Sequence, residues 1–131
     1  MKFYKILSLL TAALFAYLFI ELLLNTDSFV TGIGMQSCLA SDVLGRRASV
    51  LMLGFAVLLF LSRNISPSKE RQYISLAIAV TMMGFASMGS YELIMKRVNS
   101  GIIQAICIET AVTVSFIISF IKDRKAVKKN N

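Results

Sequence analysis

The stretch from Ile6 to Leu24, ILSLLTAALFAYLFIELLL, decides the fold. It contains no Gly and no Pro, and only Ser8, Thr11, Tyr17 and Glu21 interrupt its apolar character. A helix needs about 20 residues to cross the hydrocarbon core of a bilayer, and apart from closed barrels no other backbone form satisfies its own hydrogen bonds there. Lys2 and Lys5 give the run a basic start, as in a cleaved leader. The run is longer than the 7–15 residues usual for that job, and no small-x-small cleavage site follows it. A retained span is therefore expected.

Three further runs have the same character. The second covers residues 42–62, the third 73–95 and the fourth 101–121. Ser66-Pro67-Ser68 and Asn99-Ser100-Gly101 break the chain between them. None alternates with period two over ten residues, which argues against a barrel. The expected fold class is all-α, an integral membrane four-helix bundle. It forms a single transmembrane domain over 1–131, with a loop at 25–41 and a basic tail at 122–131.

Composition agrees. Of the 131 residues 56% are hydrophobic and 16% charged, against about 25% charged in a soluble domain. A small soluble domain must cover its core with polar surface, and this chain lacks the residues for it. The net charge of +7 does not suggest nucleic acid, because the basic residues flank apolar runs and no aromatic-basic interleaving exists. Membrane lipids are the expected partners. With no His and two Cys, a zinc site would need carboxylates for half its ligands, so neither metal nor cofactor is expected.

Lys and Arg set orientation. With the N-terminus inside, the inner segments hold Lys2, Lys5, Arg63, Lys69, Arg71, Lys122, Arg124, Lys125, Lys128 and Lys129, and the outer ones hold Arg46, Arg47, Lys96 and Arg97. Ten against four predicts both termini on the cytoplasmic side, as in a multi-pass protein of a bacterial inner membrane. The outer loop is oddly apolar, with Phe29, Val30, Ile33, Met35 and Leu39. It either lies on the outer face, folding partly back as a flap, or is a plain connection.

Helices in lipid meet best where small residues let backbones approach. The sequence offers Ala13, Tyr17 and Glu21 on the first helix, and Gly45, Ser49 and Ala56 on the second. It offers Ala77, Thr81, Gly84, Met88 and Glu92 on the third, and two polar sides on the fourth.

Three carboxylates, Glu21, Glu92 and Glu109, fall within the spans, with Arg46 and Arg47 opening the second. Glu109 lies about 12 Å deep at 1.5 Å per residue, and an unpaired carboxylate there costs at least about 3 kcal/mol. Arginine can bridge two carboxylates. These five residues are expected to collect in the outer half of the membrane, as an ion-pair network that fixes helix contacts or as a site for a small ligand, headgroup or cation. Glu92 can instead pair with Lys96 one turn away. Cys38 in the loop and Cys107 in the fourth helix form a possible disulfide if the loop folds back. No Ser-His or Cys-His pair exists, and the chain is not expected to be an enzyme.

Length and span number are similar to those of the small multidrug resistance transporters. That family's essential glutamate is in its first helix, however, whereas here the deep one is Glu109, and the tryptophan-containing pocket is absent. The run Gly45-Arg46-Arg47, with Leu53-Gly54-Phe55 and Arg63 following, resembles a class of uncharacterised small bacterial four-helix membrane proteins. That resemblance covers roughly 25–63 and implies architecture without mechanism. The expected role is an interaction or accessory membrane protein, with a partner membrane protein or as a homodimer. The alternative is a small transporter or ligand-binding module using Glu109 with Arg46 and Arg47.

Overall fold

The computed structural model describes residues 2–129. Four long helices, α1 (Lys2–Leu24), α3 (Leu39–Ser62), α4 (Lys69–Ile94) and α5 (Ile102–Lys129), are joined by short connections and one short helix, α2 (Thr26–Gly32). Each long helix is long and apolar enough to cross a membrane. Large apolar side chains such as Leu10, Leu24, Leu51, Leu61 and Ile94 stand exposed on their outer faces. Such faces are tolerable where the surrounding solvent is itself hydrocarbon, and the chain is a multi-pass membrane protein.

The helices form two antiparallel hairpins. α1 pairs along its length with α3, and α4 with α5, while the backbones of the two hairpins come closest between α1 and α5. Side-chain size explains the difference. Within a hairpin small residues face each other: Ala12 on α1 and Ala56 on α3 are both buried. A Cβ on Gly89 of α4 would meet Ile106 of α5 at 3.1 Å. Between hairpins the space is filled by Phe15, Leu59, Ile78 and Phe116, one from each long helix, all fully buried. Phe15 also stacks on Phe55, with ring centroids 5.3 Å apart.

The packed face of α4 runs through Arg71, Ser75, Ile78, Ala79, Met82 and Ala86. Ala77, Gly84 and Met88, expected on that face, are exposed. On α1 the packed face is Tyr4, Ser8, Thr11, Ala12 and Phe15, with Ala13 and Tyr17 exposed. Ser49 and Ala56 of α3 are buried.

Helix ends follow local chemistry. Ser68 caps α4, its hydroxyl accepting from the Arg71 amide. Ser41 and Cys38 form a reciprocal capping box at the start of α3, three residues before the expected boundary at 42. α4 ends with the Arg97 amide donating to the Glu92 carbonyl and Lys96 to Leu93, a Schellman arrangement with Lys96 left-handed at φ 56°. α5 runs through the residues expected to form a tail, reaching Lys129. The helix persists there because its inward side stays occupied: Asp123 is buried, and Ala126 and Val127 are half-buried.

Candidate functional site

The polar contacts that join one element to another gather at the two ends of the bundle. At the end formed by the starts of α1 and α4 and the finishes of α3 and α5, Arg71 and Asp123 form a buried ion pair, each side chain 4% exposed. Arg71 Nε donates to Asp123 Oδ2 at 2.6 Å, and its Nη2 donates to Oδ1, so the contact is bidentate. Arg71 Nη1 donates to the Ile65 carbonyl at 2.8 Å. The guanidinium also lies 4.6 Å from the centre of the Tyr4 ring, and the Tyr4 hydroxyl donates to Ser62 Oγ at 3.3 Å. One side chain from each long helix thus enters a single knot. Beside it Lys122 Nζ sits 4.4 Å over the Phe3 ring, tying α5 to α1 again. One turn further in, Ser8 and Ser75 are fully buried with hydroxyls that have no partner.

By sequence position Arg71 flanks the third apolar run and Asp123 sits among Lys122, Arg124 and Lys125 just past the fourth. A usable signal existed. Phe116, Ser119 and Asp123 follow at spacings of three and four, and Arg71, Ser75 and Ile78 at four and three, so both charges continue the inward stripes of their helices.

At the other end the loop folds onto the bundle. The Thr26 hydroxyl donates to the Leu22 carbonyl at 2.6 Å, and its methyl sits where a Cβ on Gly45 would be, 2.5 Å away. Glycine is what lets α2 lean on α3. The Asn99 amide donates to the Ile33 carbonyl at 2.8 Å, and its side-chain Nδ2 donates to the Gly32 carbonyl at 3.2 Å. Asn99 Oδ1 accepts from the Gly101 amide. Gly34 turns away at φ +86°, with Asn99 packed where its Cβ would stand. Asn99 thereby staples the α1–α3 connection to the α4–α5 turn. Ser37 donates to Asp27 within the loop.

The five expected charges form no shared ion-pair network among the described residues. Arg46 and Arg47 are exposed, and Glu21 and Glu109 are half-buried. Glu92 pairs with Arg97, Nη1 to Oε2 at 3.4 Å. Among the described residues no ion pair joins Arg46 or Arg47 to Glu21, Glu92 or Glu109. Arg46 and Arg47 begin the third turn of a helix that starts at Leu39, and both side chains stand out of the bundle. Cys38 and Cys107 are free and exposed, so the possible disulfide is not formed.

Two open grooves mark the surface. One, of about 320 Å³, lies between α4 and α5 and is lined by Met83, Ala86, Ser87, Ser90, Thr110 and Thr113. Its four hydroxyls each donate to the carbonyl four residues earlier on their own helix, so no donor is left over for a ligand. The other, of about 400 Å³, lies between α1 and α3 and is almost wholly apolar.

No protein-family model, no curated protein and no solved structure matches the chain.

Proposed function

We propose that this chain is an accessory protein of a bacterial inner membrane, with both termini cytoplasmic, acting by contact within the bilayer with a partner membrane protein or a second copy of itself. The observation that carries the reading is the filled centre. Phe15, Leu59, Ile78 and Phe116 meet there fully buried, and the Arg71–Asp123 pair closes the end that holds the start of α1 and the finish of α5. A centre packed in this way speaks against a solute passage within one chain. The excess of Lys and Arg in the segments at that end, ten against four, supports the orientation.

Glu109 favours a second reading, transport, because a half-buried carboxylate in a span, with no ion-pair partner among the described residues, is a functional candidate by default. Reconstitution separates the two. Vesicles containing the protein should move protons or monovalent cations no faster than protein-free vesicles, with Glu109→Gln making no difference. A flux that Glu109→Gln abolishes would overturn the accessory reading in favour of transport.

A further inference from the structure

The apolar groove between α1 and α3 has a charged mouth, and the two together define a ligand. Its floor is Ala12, Ala16 and Ala56, and its walls include Leu9, Phe60 and Leu61. These residues face out between the helices because the large side chains, Phe15 and Leu59, turn to the centre and leave alanines behind. Leu9 to Ala16 covers about 10 Å along the helix axis at 1.5 Å per residue. That is two-thirds of the roughly 15 Å depth of one leaflet.

The mouth is basic. The Arg63 guanidinium lies 3.7 Å from the centre of the Phe60 ring, on the groove wall itself. One of its nitrogens donates to the Phe60 carbonyl, and the rest remain free. Lys5 stands one turn above Leu9 on the same side of α1, and is exposed. The Tyr4–Ser62 hydrogen bond holds this end of α1 against the end of α3, which brings residues 5 and 63 to the same end of the hairpin as the groove's Leu9 and Phe60. Neither cation has a carboxylate partner among the described residues, and the chain has no Asp or Glu in 1–20 or 43–69. A groove shaped for hydrocarbon, opening on two uncompensated cations at headgroup level, is complementary to one kind of molecule found in a leaflet.

We infer that this groove seats one acyl chain of an anionic glycerophospholipid whose phosphate is held by Lys5 and Arg63. The guanidinium supplies paired donors to the phosphate oxygens and the ammonium a mobile point charge. The alanine floor lets the chain lie close enough for dispersion contacts along its length. The inference is independent of whether the protein is an accessory factor or a transporter.

Native mass spectrometry of the full chain, released from micelles containing equal amounts of phosphatidylglycerol and phosphatidylcholine, tests it. One phosphatidylglycerol should be retained in preference, and Lys5→Gln with Arg63→Gln should lower its occupancy about tenfold or more. Lys5→Gln alone, at an exposed position where the fold has no side-chain bond to lose, should give a smaller loss. Ala13→Phe fills the rim of the groove without touching the charges and should also lower retention, whereas Lys125→Gln should not. Equal retention of the two lipids would overturn the inference. So would retention unaffected by Lys5→Gln and Arg63→Gln, or a loss in that variant with none in Ala13→Phe, which would leave surface charge alone as the cause.

Discussion

The two ends of the bundle are held together by opposite means. At one end Arg71, Asp123, Tyr4 and Ser62 are all but excluded from solvent. At the other, Asn99, Gly32 and Gly34 do their bonding in the open. A hydrogen bond in water exchanges one partner for another and gains little, whereas a buried one cannot be released without leaving a charge or dipole stranded. The first end is therefore a lock and the second a clasp. The clasp can open and close without unfolding the helices, while opening the lock exposes an ion in a place built to exclude water.

Breaking the lock gives the largest effect. Arg71→Leu leaves Asp123 buried and unpaired, and should lower stability by about 3–5 kcal/mol, read as the loss in thermal and denaturant unfolding in detergent. The double variant Arg71→Leu with Asp123→Leu removes both charges and should regain most of that loss, since apolar replacement of a whole buried pair is often neutral. A single variant as mild as the double would mean that water reaches Asp123, and the contrast between the ends would collapse.

The clasp should yield far less. Asn99→Ala removes the side-chain bonds to Gly32 and Gly101 but keeps the backbone bond to Ile33, a cost of about 1 kcal/mol. The unfolding midpoint should hardly move. Amide hydrogen exchange across 26–34 should accelerate several-fold, because local opening is governed by the contacts of that segment alone. Unchanged exchange would show that α2 is held by Thr26 under Gly45 rather than by Asn99.

The same contrast explains what could be read from the sequence. Span number and all-α class were legible because a run such as Ile6–Leu24 has a single physical solution in a bilayer. Which face of each span turns inward was less legible. In lipid both faces are apolar, and alanines and glycines occur on both, so Ala77 and Gly84 looked as suited to packing as Ala79 and Ala86 do in the structure. The charged residues misled for a related reason. Glu109, Arg46 and Arg47 draw attention because they interrupt apolar runs, whereas Arg71 and Asp123 sit at the edges, where charge is ordinary. Only the continuation of α4 and α5 beyond their apolar windows turns those two inward, and hydropathy ends before the helix does. Asn99 carries no signal beyond its place in a turn, because its partner lies 67 residues away.

The smallest effect separates the ends by chemistry rather than stability. Cys38, exposed at the start of α3, has its thiol held below the ordinary value, first by the Ser41 amide and then by the Ser41 hydroxyl and the Ala40 amide. Lowering means more thiolate near neutral pH, and thiolate is the nucleophile. Ser41→Ala removes the hydroxyl and leaves the amides, so the thiol should move back up only part of the way. Alkylation of Cys38 by iodoacetamide at pH 7 should slow about twofold to threefold, and the difference from the parent should vanish above about pH 10, where both thiols are ionised. Cys107 provides the internal reference, since it lies inside an apolar span, exposed on the outside of the bundle, and should react slowly in both proteins. Equal Cys38 rates at pH 7 would mean that the Ser41 hydroxyl, which donates to the Cys38 carbonyl at 2.7 Å, does nothing for the thiolate. The exposed end would then have no polar contact strong enough to tune a neighbouring group, and the contrast with the buried end would be sharper than the geometry alone implies.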